Sequence, residues 1–363
     1  MIHLVQIVLL VLIALPSHAQ RGGHTPPKEA FMACSGKSGG ASCSMQTPHG
    51  NLKGSCRTPP GQSSLVCVPE RGARGASRPN GKMTDRQGSQ SGSNRPPMRK
   101  HTITQSNGLK KLVPATDTPS SSQYYSSKIE GKWRIIKSNA IPDHKVGKFP
   151  NSGNPHSISQ QNFEIRIPAQ PQLSSSITNV KIPGWALNGV PFDPGAGEFY
   201  QGNRNSGWQY EALSGAVSLG IDENHAHVQP GGKYHYHGLP SLFLKKIGIN
   251  SKTHSPQIGW ATDGFPIYAI YGYKNTKSPN EGITKLRSGY KVRSGRRPTG
   301  NGQPGGSYDG TFNADYEYIK GLSNLDECNG RWTITPEYPQ GTYAYFLTEN
   351  YPVVPRCVRG ITY

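Results

Sequence analysis

Four histidines within thirteen positions are the residues whose type and spacing point most directly to chemistry. They form two His-x-His pairs, His225-Ala226-His227 and His235-Tyr236-His237, on either side of Pro230-Gly231-Gly232. On an extended strand, residues i and i+2 share a face at a spacing of roughly 6.5–7 Å, because the rise is ~3.3 Å per residue. Two imidazoles so placed can converge on one ion, to which each nitrogen bonds at ~2.0–2.1 Å. Neutral imidazole is the usual ligand for zinc and for copper. The pattern predicts a transition-metal site with His225, His227, His235 and His237 as ligands and copper or zinc as the cofactor.

Whether both pairs meet depends on the register of the hairpin. If Val228 pairs with Lys233, a four-residue loop results and the two pairs point to opposite sides of the sheet. If Val228 pairs with Tyr234, Pro230-Gly231-Gly232 is a three-residue loop, with His227 opposite His235 and His225 opposite His237. Such loops need a residue at positive φ, which Gly231 or Gly232 supplies. The second register is the one expected. Tyr234 and Tyr236 then occupy the reverse face and belong to the core, with Tyr236 at most a supporting group.

Carboxylates near such a site commonly accept the free ring N–H of a ligand histidine. Asp263 and Glu327 are the candidates for that role, against the alternative that each caps a turn. Other catalytic templates are absent: there is no Gly-x-Ser-x-Gly elbow, His-Glu-x-x-His pair, dinucleotide fingerprint or Walker loop. As an enzyme the chain would be a metal-dependent hydrolase or a copper redox protein.

The elements that must position these residues read as β structure. From Trp133 onward, short alternating or aromatic runs such as Phe163-Glu164-Ile165-Arg166-Ile167 and Tyr343-Ala344-Tyr345-Phe346-Leu347 are broken by Gly and Pro. The best short helix is Ser241 to Lys246. The region fits one large β-sandwich-like domain.

Upstream, residues 30–70 form a cysteine-rich module and residues 71–130 a basic linker read as disordered, being rich in Gly, Ser, Pro, Asn and Arg. Cys34, Cys43, Cys56 and Cys67 are spaced by nine, thirteen and eleven, unlike the close Cys-x-x-Cys pairs of zinc modules, so disulfides are expected there. Cys328 and Cys357 form a third pair. Residues 1–19 read as a signal peptide: an apolar run from Leu4 to Leu15 is followed by Ser17-His18-Ala19. Both features predict an exported protein without a transmembrane segment once the signal is cleaved. The formal charge is +19, and the tract from Arg71 to Lys111 has only Asp85 to offset its cations. It lacks interleaved aromatics for base stacking, so a nucleic-acid partner is not expected, and an anionic envelope polymer is the partner it suits.

The run Gly232-Lys233-Tyr234-His235-Tyr236-His237-Gly238 resembles the YHYH-domain family. Ordered blocks on both sides extend the likeness over about residues 132–363: Ile141-Pro142-Asp143-His144, Asn188-Gly189-Val190-Pro191, Asp263-Gly264-Phe265-Pro266 and Leu325-Asp326-Glu327-Cys328-Asn329-Gly330-Arg331. The resemblance implies an exported bacterial domain and brings no established activity. In many relatives a further histidine falls in the C-terminal Tyr-x-Tyr element, where this chain has Ala344. It also marks His144 as a candidate supporting imidazole. The competing expectation is a metal-free extracellular module binding glycan or envelope components, with Trp185, Trp208 and Trp260 stacking on sugars.

Overall fold

The computed structural model describes residues 28–47, 50–58, 64–69, 100–106 and 108–362. The expected signal peptide and residues 71–99 of the basic linker lie outside these residues. Contacts divide the chain into two units, one within residues 1–92 and the other within 93–363. The protein is mostly β: 22 strands and two short α-helices are described. No helix among the described residues is long and apolar enough to cross a membrane.

In the small unit, three antiparallel strands, Ser42–Thr47, Gly50–Arg57 and Val66–Pro69, follow one short helix. Their core is almost entirely cystine. Cys34 bonds to Cys56 and Cys43 to Cys67, and all four are buried, with Ala33, Met45 and Leu65 packed against them among the described residues. So small an apolar cluster explains the reliance on covalent links, each worth about 3 kcal/mol for a loop of this size.

The large unit is built on a mixed sheet of eight strands: β1 (Gly184–Ala186), β2 (Pro191–Phe192), β3 (Ala226–Val228), β4 (Tyr234–Tyr236), β5 (Gly259–Ala261), β6 (Pro266–Ala269), β7 (Gly330–Thr333) and β8 (Thr342–Leu347). Their order across the sheet is β3-β4-β2-β1-β5-β6-β8-β7. Two contacts are parallel, β4 with β2 and β6 with β8, and the rest are antiparallel. The remaining sheets are ribbons of two or three strands. The main core takes Tyr234 and Tyr236 together with Phe192, Ile258, Ile267, Tyr345 and Val358. Cys328 and Cys357 are disulfide-bonded within that core, as their pairing predicted.

The linker boundary at residue 130 is corrected. Residues 100–130 fall in the large unit and run along it. Val113 bridges Asp222, Asp117 bridges Val146 and His101 bridges Tyr200, while Tyr125–Glu130 is a full strand paired with Trp133–Ser138. Their composition is poor in apolar residues, but their backbone groups find partners in the domain, and Leu109 and Leu112 pack on a second apolar cluster.

Candidate metal centre

The hairpin adopts the register that the three-residue loop demands. Ala226 pairs with Tyr236, His227 with His235 and Val228 with Tyr234, and the Gln229 N–H donates to the Lys233 carbonyl at 3.0 Å. Gly231 and Gly232 both take positive φ, +89° and +84°. At Gly232 a Cβ would lie 1.9 Å from the Ser159 Oγ, so the turn cannot accept a side chain there. The alternation of β4 then separates two faces. The tyrosines enter the core with no exposed surface, and the histidines turn to the other side.

Tyr234 and Tyr236 are tied down by polar partners. The Tyr234 hydroxyl donates to the Asp222 carboxylate at 2.7 Å. The Tyr236 hydroxyl lies 2.7 Å from His144 Nε2 and accepts from the Asn188 amide at 2.9 Å. Burial pushes both phenols well above their ordinary values. They are therefore neutral posts that fix the strand carrying His235 and His237.

On the opposite face, His227, His235 and His237 form a nearly equilateral group. Their ring centroids are 4.7, 4.6 and 4.6 Å apart and the rings are inclined by 65–74°. Each offers a ligand nitrogen, and these atoms lie within 4.8 Å of one another. Backbone carbonyls hold two of the rings from behind: His227 Nδ1–H donates to Leu219 at 2.8 Å and His235 Nδ1–H to Lys233 at 3.2 Å. That fixes the tautomer and leaves Nε2 of each ring as a free lone pair. His237 Nδ1 has no partner of regular geometry, although the Pro194 carbonyl still favours a proton on that ring.

The His235 and His237 Nε2 atoms stand 3.0 Å apart. Two nitrogens bound tetrahedrally at ~2.0–2.1 Å from one ion would stand roughly 3.3 Å apart, so the spacing suits a shared cation. Burial, reinforced by the neighbouring imidazoles, holds His235 and His237 well below the usual histidine value, and burial lowers His227 as well. All three are neutral near pH 7, the form in which imidazole binds metal. A three-nitrogen set on one side of an ion leaves further positions open, the arrangement of catalytic rather than closed structural sites.

The sequence model of the family described as YHYH protein matches residues 164–360, more than half of the chain. The chain belongs to the YHYH protein family. No curated protein and no solved structure matches it.

Within the YHYH domain, several expected site residues are placed elsewhere. His225 is absent from the histidine group. Asp222 through His225 close a tight turn, with the His225 N–H donating to the Asp222 carbonyl at 2.8 Å. That turn forces φ at His225 to +52°, and its Nδ1 meets the Leu239 carbonyl at 2.8 Å instead. His144 sits on the tyrosine side, stacked on Tyr236, so both it and Tyr236 are on the face away from the three nitrogens. Asp263 accepts from the Tyr345 hydroxyl and from the Gly360 and Phe265 N–H groups, locking the C-terminal strand to its turn. Glu327 forms an ion pair with Arg359 at 3.5 Å. Neither carboxylate bonds to the histidines.

The carboxylate that does lie beside the histidine group is Asp193, which sequence reasoning passed over. Phe192 pairs with Tyr236 and packs its ring on it at 5.8 Å, so alternation turns Asp193 to the histidine face of the YHYH domain. Asp193 is fully buried. Its Oδ2 accepts from Gln229 Nε2 at 2.7 Å and faces Lys233 Nζ at 3.7 Å, while Oδ1 has no partner. Its charge favours a proton on His227. Gln229 and Lys233 lie two rungs from His227 and His235 on the same face of the hairpin, so the site extends along that face.

Two of the three tryptophans considered for sugar stacking are covered. Trp208 and Trp260 are 8% and 9% exposed, and Trp260 is covered by the Arg134 guanidinium at 3.6 Å.

Proposed function

We propose that this YHYH protein is exported and that its domain binds one transition-metal ion, zinc or copper, through His227, His235 and His237. The observation that carries this reading is the mutual approach of three neutral imidazoles, two buried and that of His227 half-buried. With the Nδ1–H groups of His227 and His235 turned to backbone carbonyls, their Nε2 lone pairs face the His237 ring, and a cation among the three rings would take all of these nitrogens. The ion would act as a Lewis acid or redox centre at its open positions, which makes a metal-dependent hydrolase or a copper redox protein the reaction classes to screen.

Export rests on the N-terminal apolar run and on three disulfides among six cysteines. The basic tract upstream of residue 100 is the segment proposed to hold an anionic envelope polymer. The deciding experiment is elemental analysis of protein purified without chelator, beside a His235→Ala/His237→Ala variant. One equivalent of zinc or copper, lost in the variant, supports the metal centre. A folded protein without metal in either sample refutes it.

A further inference from the structure

β7 is the outer strand at the opposite end of the sheet from β3 and β4, and it carries the most exposed tryptophan among the described residues. Arg331 and Thr333 turn inward, 6% and 0% exposed, whereas Trp332 between them keeps 57% of its surface. The indole is nonetheless held in place. It rests on the turn that joins β7 to β8, where Gly341 takes φ +93° and a Cβ would lie 2.8 Å from Trp332 Nε1 and 3.4 Å from its Cε2. A glycine there lets the ring lie against the turn. Tyr338, in the same turn, packs against the apolar cluster of Ile136, Ile167 and Trp260.

Trp332, Tyr338 and Gly341 line a cleft of about 490 Å³ together with Pro171, Gln172 and Leu173, a volume within the ~300–1,000 Å³ of small-molecule sites. The chain carries a formal charge of +19, yet among the described residues the Tyr338 phenol is the one ionisable group lining this cleft. Burial pushes that phenol up, so the lining is neutral. The hydrogen bonds that Gln172 and Tyr338 form are made by their main chains, which leaves the Gln172 amide and the Tyr338 hydroxyl open to a ligand.

A neutral lining gives no advantage to the anionic polymer that suits the basic tract. An exposed indole in a concave surface gains most from a flat face of C–H groups. The open amide and hydroxyl call for a partner that both donates and accepts. A pyranose ring meets both demands, with C–H groups on its faces and hydroxyls around its rim. A proline-rich peptide brings a flat ring but no proline N–H, so it leaves the acceptors of Gln172 and Tyr338 unmatched. We infer that this cleft binds a neutral oligosaccharide, with one pyranose ring stacked on Trp332 and its hydroxyls bonded to Gln172 and Tyr338. Binding here is independent of the metal centre, because the cleft flanks β7 and the histidines lie at the β3–β4 end of the sheet.

The test is isothermal titration calorimetry of the full chain with chitohexaose, cellohexaose and mannohexaose, repeated in EDTA and at high salt. At least one of these neutral sugars is expected to bind, with an affinity that neither chelator nor salt changes. Trp332→Ala should weaken that binding by about tenfold or more, as for loss of an aromatic anchor, while Trp332→Phe should retain most of it. Gln172→Ala, at an exposed position, should weaken it to a smaller extent. Equal affinity in wild type and Trp332→Ala, both folded by urea unfolding, overturns the site. No binding of any of the three sugars overturns the saccharide class, and binding of a polyproline peptide in their place, lost in Trp332→Ala, assigns the cleft to proline-rich chain instead. Sugar binding abolished by EDTA or by salt belongs to the histidines or to the basic tract and equally defeats the assignment.

Discussion

His225 and His227 are two residues apart, yet their rings are held by different carbonyls, Leu239 for His225 and Leu219 for His227, each at 2.8 Å. The cause is the left-handed backbone of His225, φ +52°, which ends the alternation that a continuous strand would impose. One His-x-His pair is therefore split, and the other, His235 with His237, is kept intact within β4 and the residue that follows it.

That split predicts unequal consequences of mutation. His225→Ala should leave metal content at one equivalent, whereas His227→Ala, His235→Ala and His237→Ala should each reduce it below half. Elemental analysis of the four purified variants measures this directly. Loss of metal in His225→Ala alone would show that the three-histidine group is not the site.

Support behind the ligands should matter nearly as much as the ligands. Asn154 is buried, and its amide donates to the Val228 carbonyl at 2.9 Å and more weakly to the Leu219 carbonyl at 3.4 Å. The latter carbonyl orients His227. Asn154→Ala should weaken zinc binding by about tenfold, the lower end for loss of an outer partner, with a stability loss of about 1–2 kcal/mol. Competition with a chromophoric chelator reads the first effect and urea unfolding the second.

The hairpin's register was legible because Pro230-Gly231-Gly232 can close only a short loop, and the burial of Tyr234 and Tyr236 followed from that register. Pairing of Cys328 with Cys357 was legible by position. The exclusion of His225 was not, since a left-handed conformation at a non-glycine residue is imposed here by the Asp222 turn and has no marker in local composition. Asp193 was hidden for another reason. It reaches the site through a parallel contact between β2 and β4, and pairing across more than forty residues leaves no periodic trace. The ordered course of residues 100–130 was likewise invisible, because their backbone partners lie far along the chain.

Asp222 is a structural keystone of the hairpin rather than a metal-site group. Its Oδ2 accepts from the Gly147 N–H and the Tyr234 hydroxyl, and its Oδ1 accepts from the Asn224 and Ala226 N–H groups. Asp222→Ala would leave these buried donors unmatched. A loss of roughly 3–5 kcal/mol is expected, more than for Asp222→Asn, which keeps the shape and part of the acceptor set. Urea unfolding of both variants against wild type checks the order.

Acid should weaken the metal-free fold. His144, His227, His235, His237 and His254 all have folded-state proton affinities depressed, in each case chiefly by burial. The unfolded chain, with histidine near ~6.5, takes up protons first as pH falls, so stability contributed by these neutral rings is present above that value and is lost as pH drops below it. Buried Asp222, Asp263 and Glu211 and half-buried Asp326 act in the opposite sense, because desolvation raises their values and the folded state protonates before the unfolded one. The histidines are the groups whose unfolded value lies within the interval from about pH 7.5 to 5.5, and they set the expected sign there. Unfolding in urea with chelator present should show lower stability at pH 5.5 than at pH 7.5. Added zinc should widen that gap, since protons and metal compete for the same three nitrogens and binding stabilises only the folded state. A metal-free stability that is flat across this range would mean that these rings are solvated rather than buried.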